Sequence, residues 1–251
     1  MLGSGTSVPH KDRTSSAYWV ETDGGSLLLD CSPSAIHRMA QEKLDWVNLD
    51  AIWISHFHLD HAGGLAPFLF GTKWAPQTQS RTKPLKIFGA MGLKDWFDAI
   101  DNASNYLLSE QPFPIEFIEV KPLEEVELFA GLTGVSFDTP HTDESRAIHL
   151  RDSEEKTLVF SADTGFTQAL GSFAREVDLF LLECSFVKDK PVEGHIQLDE
   201  AIYLARYSKA KRVVLTHLYP EWDEVDFEDV VSAFEPGVEI VEAIDGMRID
   251  I

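Results

Sequence analysis

Short apolar runs rich in β-branched and aromatic residues recur along the chain, each closed by a cluster of turn residues. Read as strands, they lie at 17–21, 26–30, 51–54, 85–89, 115–120, 133–137, 147–151, 157–161, 178–182 and 212–216, with 238–244 and 247–251 closing the chain. Apolar positions at helical spacing predict helices near 34–41, 64–74, 93–107, 198–208 and 227–234. Ser32-Pro33 marks the start of the first, with proline in its first turn. Strands grouped early, helices interspersed and a second half like the first predict an α/β chain of two sheets with helices outside. No low-complexity linker interrupts the 251 residues, so 1–251 is read as one domain, and 44% hydrophobic residues suffice for a sizeable core.

The chemistry concentrates after one of these strands. Ser55-His56-Phe57-His58-Leu59-Asp60-His61 places three histidines and an aspartate within six positions, directly behind Ala51-Ile52-Trp53-Ile54. Imidazole and carboxylate are the donors that zinc and related divalent metals take. His56 and His58 are two apart, so in extended backbone they point to one side; Asp60 and His61 follow the turn and can face another point. His141, Asp163 and His217 each stand at the carboxyl end of a further strand-like run, where α/β sheets gather functional groups. A lone His or Asp at a strand end is ordinarily a satisfied turn residue. Together with the first cluster these three bring the candidate ligands to seven, enough for two metals.

His56-x-His58-x-Asp60-His61 followed by His141, Asp163 and His217 resembles the motif series of the metallo-β-lactamase superfamily, over nearly the whole chain. The ribonuclease Z-like branch is the nearest. Leu2-Gly3-Ser4-Gly5-Thr6-Ser7-Val8-Pro9 resembles its glycine-rich start. Phe160-Ser161-Ala162-Asp163-Thr164 is similar to its "SGDT" segment, Leu182-Glu183-Cys184-Ser185-Phe186 to "HEATF", Gly194-His195-Ile196-Gln197 to "HST" and Leu215-Thr216-His217 to "LTH". Asp245-Gly246-Met247-Arg248-Ile249 resembles an ending that the branch shares with its cyclic-phosphate phosphodiesterases. The resemblance implies an αββα sandwich. It implies that His56, His58 and His141 hold one divalent metal, that Asp60, His61 and His217 hold a second, and that Asp163 bridges them. Zinc is the expected metal, with manganese or iron as alternatives. It also implies a hydroxide between the metals as nucleophile, with Asp60 accepting its hydrogen bond. His195 would serve the departing oxygen and Glu183 would orient that imidazole. Relatives in this branch are often dimers, which makes a homodimer an expectation here.

Charge and length narrow the substrate. The chain carries 42 acidic and 21 basic residues, a formal −21. A protein that grips RNA presents a basic face to phosphates, so large nucleic acid is not expected. Members that process transfer RNA carry a long arm between the third and fourth motifs; here only 21 residues separate His141 from Asp163, and Gln197 replaces the threonine of "HST". A small phosphodiester, such as a cyclic nucleotide or sugar cyclic phosphate, is the expected substrate. The alternatives are a hydrolase of a thioester, lactone or β-lactam on the same scaffold, or a ribonuclease Z-type RNA endonuclease lacking the arm. Arg146 could clamp a phosphate or form a strand-edge ion pair; Tyr219 and Trp222 could wall the pocket or pack in the core. No run of 18 apolar residues and no secretory signal occur, so no membrane association is expected. With Cys31 and Cys184 alone, a reducing cytoplasm is the expected setting.

Overall fold

The computed structural model describes residues 1–251. The first half holds β1 (Tyr18–Thr22), β2 (Gly25–Leu29), α1 (Ala35–Gln41), β3 (Ala51–Ile54), α2 (Leu59–Ala62), α3 (Leu65–Trp74), β4 (Leu85–Gly89), α4 (Leu93–Ala103) and β5 (Ile115–Glu119). The second holds β6 (Glu125–Phe129), β7 (Leu132–Asp138), β8 (Arg146–Asp152), β9 (Thr157–Phe160), α5 (Gln168–Phe173), β10 (Leu179–Glu183), α6 (Leu198–Ser208), β11 (Arg212–Thr216), α7 (Phe227–Ser232) and β12 (Glu239–Glu242). One sheet has the order β1-β2-β3-β4-β5, the other β12-β11-β10-β9-β8-β7-β6. Both are mixed. β2 to β5 run parallel behind an antiparallel β1, and β9 to β12 run parallel behind the antiparallel meander β6 to β9.

Side-chain alternation builds the layers. On β3, Ala51 and Trp53 face the other sheet while Ile52 and Ile54 face the helices; on β10, Leu179 and Leu181 face inward while Phe180 and Leu182 face outward. A strand apolar on both faces reads as a continuous run, which is how these central strands appear in the sequence. Three buried clusters result. Tyr18, Trp53, Phe88, Phe160 and Val214 join the sheets, Met39, Leu69 and Phe97 join the first sheet to α1, α3 and α4, and Leu170, Ile202 and Leu204 join the second to α5 and α6. This is the expected αββα sandwich.

Several expectations fail locally. Residues 247–251 form no strand; Met247 O instead accepts from the Met1 ammonium at 2.8 Å, and Gly246 N donates to Met1 O. The helix expected over 93–107 stops at Ala103, because Asn105 and Leu107 turn to positive φ. Pro33 lies outside α1, whose N-cap is Ser34. β6, α2 and α5 were not expected. β6 hides because it is an edge strand with exposed glutamates, a pattern that discourages further pairing. The opening segment contributes isolated bridges, Gly3 with Ala17 and Gly5 with Ser15. At Gly3 a Cβ would lie 1.9 Å from Ser15 O, so only glycine allows that approach. No helix is long and apolar enough to cross a membrane.

Candidate metal centre

The seven expected ligands meet at one edge of the sandwich, where β2, β3, β9, β10 and β11 end. His56 and His58 follow β3, and Asp60 and His61 lie on the short α2. Asp30, Ala162 and His217 each adopt positive φ (60°, 53° and 57°) just past a strand end. A non-glycine left-handed residue costs about 1–3 kcal/mol and clusters at functional sites. Here it turns the chain sharply, so that the next side chains stay at the edge.

Asp163, buried at 2% exposure, divides its carboxylate between two sets. Its Oδ2 faces His56 Nε2 at 3.8 Å and His141 Nε2 at 3.7 Å. Its Oδ1 faces His61 Nε2 at 3.2 Å and His217 Nε2 at 3.4 Å. Asp60 Oδ2 completes the second set, 3.7 Å from His61 Nε2 and 3.6 Å from His217 Nε2. His58 completes the first, its Nδ1 3.1 Å from His141 Nε2. His56, His58, His141 and Asp163 offer donor atoms within 4.8 Å of one another, as do Asp60, His61 and His217.

The donors suit a cation. Nε2 of His56, His61 and His217 is buried with no hydrogen-bond partner, an arrangement that is costly unless something else occupies the lone pair. The other ring nitrogens are held: His61 Nδ1 donates to Asp30 Oδ2 at 2.7 Å and His141 Nδ1 donates to Gly194 O at 2.7 Å. Orienting hydrogen bonds of this kind are what metal-bound imidazoles carry. The electrostatics agree. Burial, reinforced by the charge on His61, holds His56 down at about 2. Burial would raise Asp60, but the neighbouring imidazoles of His217 and His61 bring it to about 2. Burial likewise opposes the ionised form of Asp163, yet His217 and His61 hold it well below the usual carboxylate range. The carboxylates are thus anionic, as metal ligands must be. Burial disfavours a charge on His61, but Asp163 and Asp30 outweigh it and hold its proton affinity well above the ordinary imidazole range, a positive charge that a bound cation would displace.

His195 stands beside the cluster, its ring 4.8 Å from that of His141 and 5.2 Å from that of His217. Its Nδ1 donates to Glu183 Oε1 at 2.9 Å. Burial lowers its affinity for a proton, but Glu183 outweighs this and lifts it to about 9. Glu183, itself buried, also accepts from Thr164 N at 2.7 Å and so ties the Asp163 loop to His195.

Residues 1–235 match the family described as "Anti-Pycsar protein Apyc1". The chain belongs to that family. A ribonuclease Z of Methanosarcina acetivorans is 25% identical over 306 residues, covering 100% of this chain and 96% of that protein. The mitochondrial ribonuclease Z 2 of Schizosaccharomyces pombe is 27% identical over 259 residues, covering 99% of this chain but 38% of the relative, so the chain spans well under half of that protein. Among solved structures, the metallo-β-lactamase fold protein YhfI from Bacillus subtilis superposes with a TM-score of 0.78 at 21% identity, covering 98% of this chain and 95% of that one. The Apyc1-family chain has the metallo-β-lactamase fold and is a metallo-hydrolase of the ribonuclease Z-like branch, with a His/Asp cluster suited to divalent metal.

Not every expected residue reaches the site. Arg146 is turned away: its Nε lies 2.9 Å from Asp138 Oδ1, and its Nη1 donates to the carbonyls of Asp143 and Ser145. The guanidinium therefore braces the His141 loop and is not free to clamp phosphate. Trp222 is a core residue, 2% exposed, donating from Nε1 to Cys184 O at 2.9 Å. Tyr219 is half-buried beside the cluster, stacked on Phe186 at 4.7 Å and edge-on to His217 at 6.2 Å. Gln197 caps α6 in a capping box with Glu200 and accepts from Lys190 N at 3.0 Å, so it pins the loop before His195. Three residues escaped sequence reasoning: Asp30, Ser55 as a partner of His56, and Ser185. Asp30 follows an apolar strand, as the candidate ligand positions do, and that is the one available signal. A cavity of about 390 Å³ opens elsewhere, between Trp19, Leu158, Leu179 and the 246–251 segment.

Proposed function

We propose that residues 1–251 act as one hydrolase domain, a phosphodiesterase that holds two divalent metals, most simply zinc, and cleaves a small phosphodiester. The observation that carries this reading is the divided Asp163 carboxylate, one oxygen toward His56 and His141 and the other toward His61 and His217. In the proposal His56, His58 and His141 hold one ion, Asp60, His61 and His217 the other, and Asp163 both. Bound cations of this kind supply an acidified water and Lewis-acid stabilisation of developing charge.

The remaining steps belong to the protein. Asp60 presents a carboxylate at the edge of the second set and accepts a hydrogen bond from the attacking water. His195, oriented through Nδ1 by Glu183, keeps Nε2 for the substrate and donates a proton to the departing oxygen. Its affinity for a proton, lifted to about 9, keeps that donor charged at neutral pH. Tyr219 and Phe186 form a wall next to this donor.

Substrate size follows from charge and architecture. The net charge is −21, and the stretch between His141 and Asp163 is filled by the β8–β9 hairpin. These favour a compact ester such as a cyclic nucleotide over a long polyanion. A second reading, an armless RNA endonuclease, draws on the relatives named ribonuclease Z. The cytoplasm is the proposed setting, supported by two buried free thiols, and a homodimer the proposed assembly, supported by exposed Phe70 and Trp74 on α3. Hydrolysis of bis(p-nitrophenyl) phosphate and cyclic nucleotides by zinc-loaded protein, alongside precursor transfer RNA, nitrocefin and a thioester, tests the proposal. Turnover of the small phosphodiesters is expected; comparable turnover of precursor transfer RNA, or turnover of nitrocefin or thioester alone, overturns it.

A further inference from the structure

The two halves of the sandwich approach the cluster with the same side-chain device. In the first half the Asp30 carboxylate accepts from Ser55 N at 2.8 Å, from Ser55 Oγ at 2.9 Å and from His61 Nδ1 at 2.7 Å. Ser55 Oγ then lies 3.0 Å from His56 Nδ1. In the second half the Glu183 carboxylate accepts from Ser185 N at 3.3 Å, from Ser185 Oγ at 2.8 Å and from His195 Nδ1 at 2.9 Å. Ser185 Oγ then lies 3.0 Å from His217 Nδ1 and, unlike Ser55, also 3.2 Å from the second ring, at His195 Nδ1, whose proton goes to Glu183. Each device is one carboxylate, one serine and two histidines, and both serines are fully buried.

A serine hydroxyl has a single proton and two lone pairs. With the proton committed to the carboxylate, the oxygen can only accept from the imidazole. Each ring must then carry its proton on Nδ1, which leaves a lone pair on Nε2. In both His56 and His217 that Nε2 is buried, without a partner, and faces Asp163.

We propose that Ser55 and Ser185 are equivalent positioning residues, each fixing the Nδ1–H tautomer of one metal-facing histidine: Ser55 that of His56, Ser185 that of His217. The proposal rests on the two-metal reading above. His56 and His217 lie in different ligand sets, so the serines act on different ions. Loss of one hydroxyl weakens one ion and leaves the other in place.

The test combines a spectroscopic and a binding measurement. Long-range ¹H–¹⁵N spectra of metal-free wild-type protein at mildly alkaline pH report the tautomer of each ring directly. Both His56 and His217 are expected as Nδ1–H; Nε2–H on either ring overturns the proposal for its serine. Zinc titrations against a competing chelator then compare wild type with Ser55→Ala, Ser185→Ala and the hydroxyl-keeping Ser55→Thr and Ser185→Thr. Each alanine variant is expected to lose about 10- to 100-fold in affinity at one of two sites, the usual effect of removing an orienting partner, and each threonine variant to recover it. Two sites of wild-type affinity in both alanine variants would sink the proposal. Fewer than two sites in wild type would instead refute the two-metal reading, and the tautomer spectra would still judge the serines. Those spectra need no variant, so a substitution that fails to fold leaves the test intact.

Discussion

His61 and His195 are held by their carboxylates in the same way and put to different use. His61 gives Nδ1 to Asp30 and turns Nε2 inward, 3.2 Å from Asp163. His195 gives Nδ1 to Glu183, and that same engaged atom is the one 4.0 Å from Asp163 Oδ2. His61 is fully buried, whereas His195 keeps 9% of its surface exposed. In the proposed reading the same hydrogen bond prepares a ligand in one half and a proton donor in the other. What decides is which ring atom the fold leaves open, and toward what.

The sharpest way to break this comparison is to remove the group both halves share. Asp163→Ala is expected to strip both metals and abolish turnover, read by metal analysis and steady-state kinetics on bis(p-nitrophenyl) phosphate. Retention of a full metal complement would show that the carboxylate does not span the two sets.

The next effects separate donor from ligand. His195→Ala should retain its metals while kcat falls by about 10²-fold or more, the usual scale of general-acid assistance. Glu183→Gln should lower the affinity of His195 for its proton. In wild type the protonated donor is present at neutral pH and lost as pH rises through about 9. In Glu183→Gln the alkaline limb of the pH–rate profile should therefore move to lower pH. An unmoved limb would detach Glu183 from the donor. Asp30→Asn should act in the opposite sense: the pH profile keeps its shape, zinc affinity drops by about 10- to 100-fold, and stability falls by about 1–3 kcal/mol as buried donors lose their acceptor. Asp30 orients His61 directly and His56 through Ser55, whereas Glu183 reaches one metal-facing ring, His217, through Ser185. Asp30→Asn is therefore expected to cost more zinc affinity than Glu183→Gln; a larger loss in Glu183→Gln would erase the distinction between the halves.

Much of this architecture was legible because burial leaves a plain trace. β3, β4, β11 and α6 run as expected, since strands apolar on both faces and a helix with a clear apolar stripe admit few alternatives. The seven candidate ligands were visible as a dense run of donors and three strand-end residues. Asp30, Ser55 and Ser185 were harder to see, because their roles lie in hydrogen bonds that join residues distant in sequence, as between Asp30 and His61. A lone carboxylate or serine carries no such mark in a linear pattern. The 247–251 segment misled for a related reason: its alternation suits a strand, but its backbone is held by Met1. Arg146 was undecidable in sequence, because a phosphate clamp and a partner for Asp138 demand the same residue.

The smallest expected effect concerns the two aromatic residues that follow His217. They are three apart in sequence and belong to different parts of the molecule. Trp222 is buried behind β10 and donates to Cys184 O, so it supports the Glu183–Ser185 segment from the core side. Tyr219 stacks on Phe186 at the rim, edge-on to His195 at 6.3 Å. Trp222→Phe deletes one buried hydrogen bond and should cost about 1–3 kcal/mol of stability, with kcat and KM unchanged, read by urea unfolding and kinetics on one preparation. Tyr219→Leu should leave the unfolding midpoint nearly in place and raise KM several-fold, because it removes a wall and no core contact. If Trp222→Phe instead changed KM at constant stability, the core side and the open side of the second half would be reversed. The separation of supporting residues from substrate-facing ones on that half would then have to be redrawn.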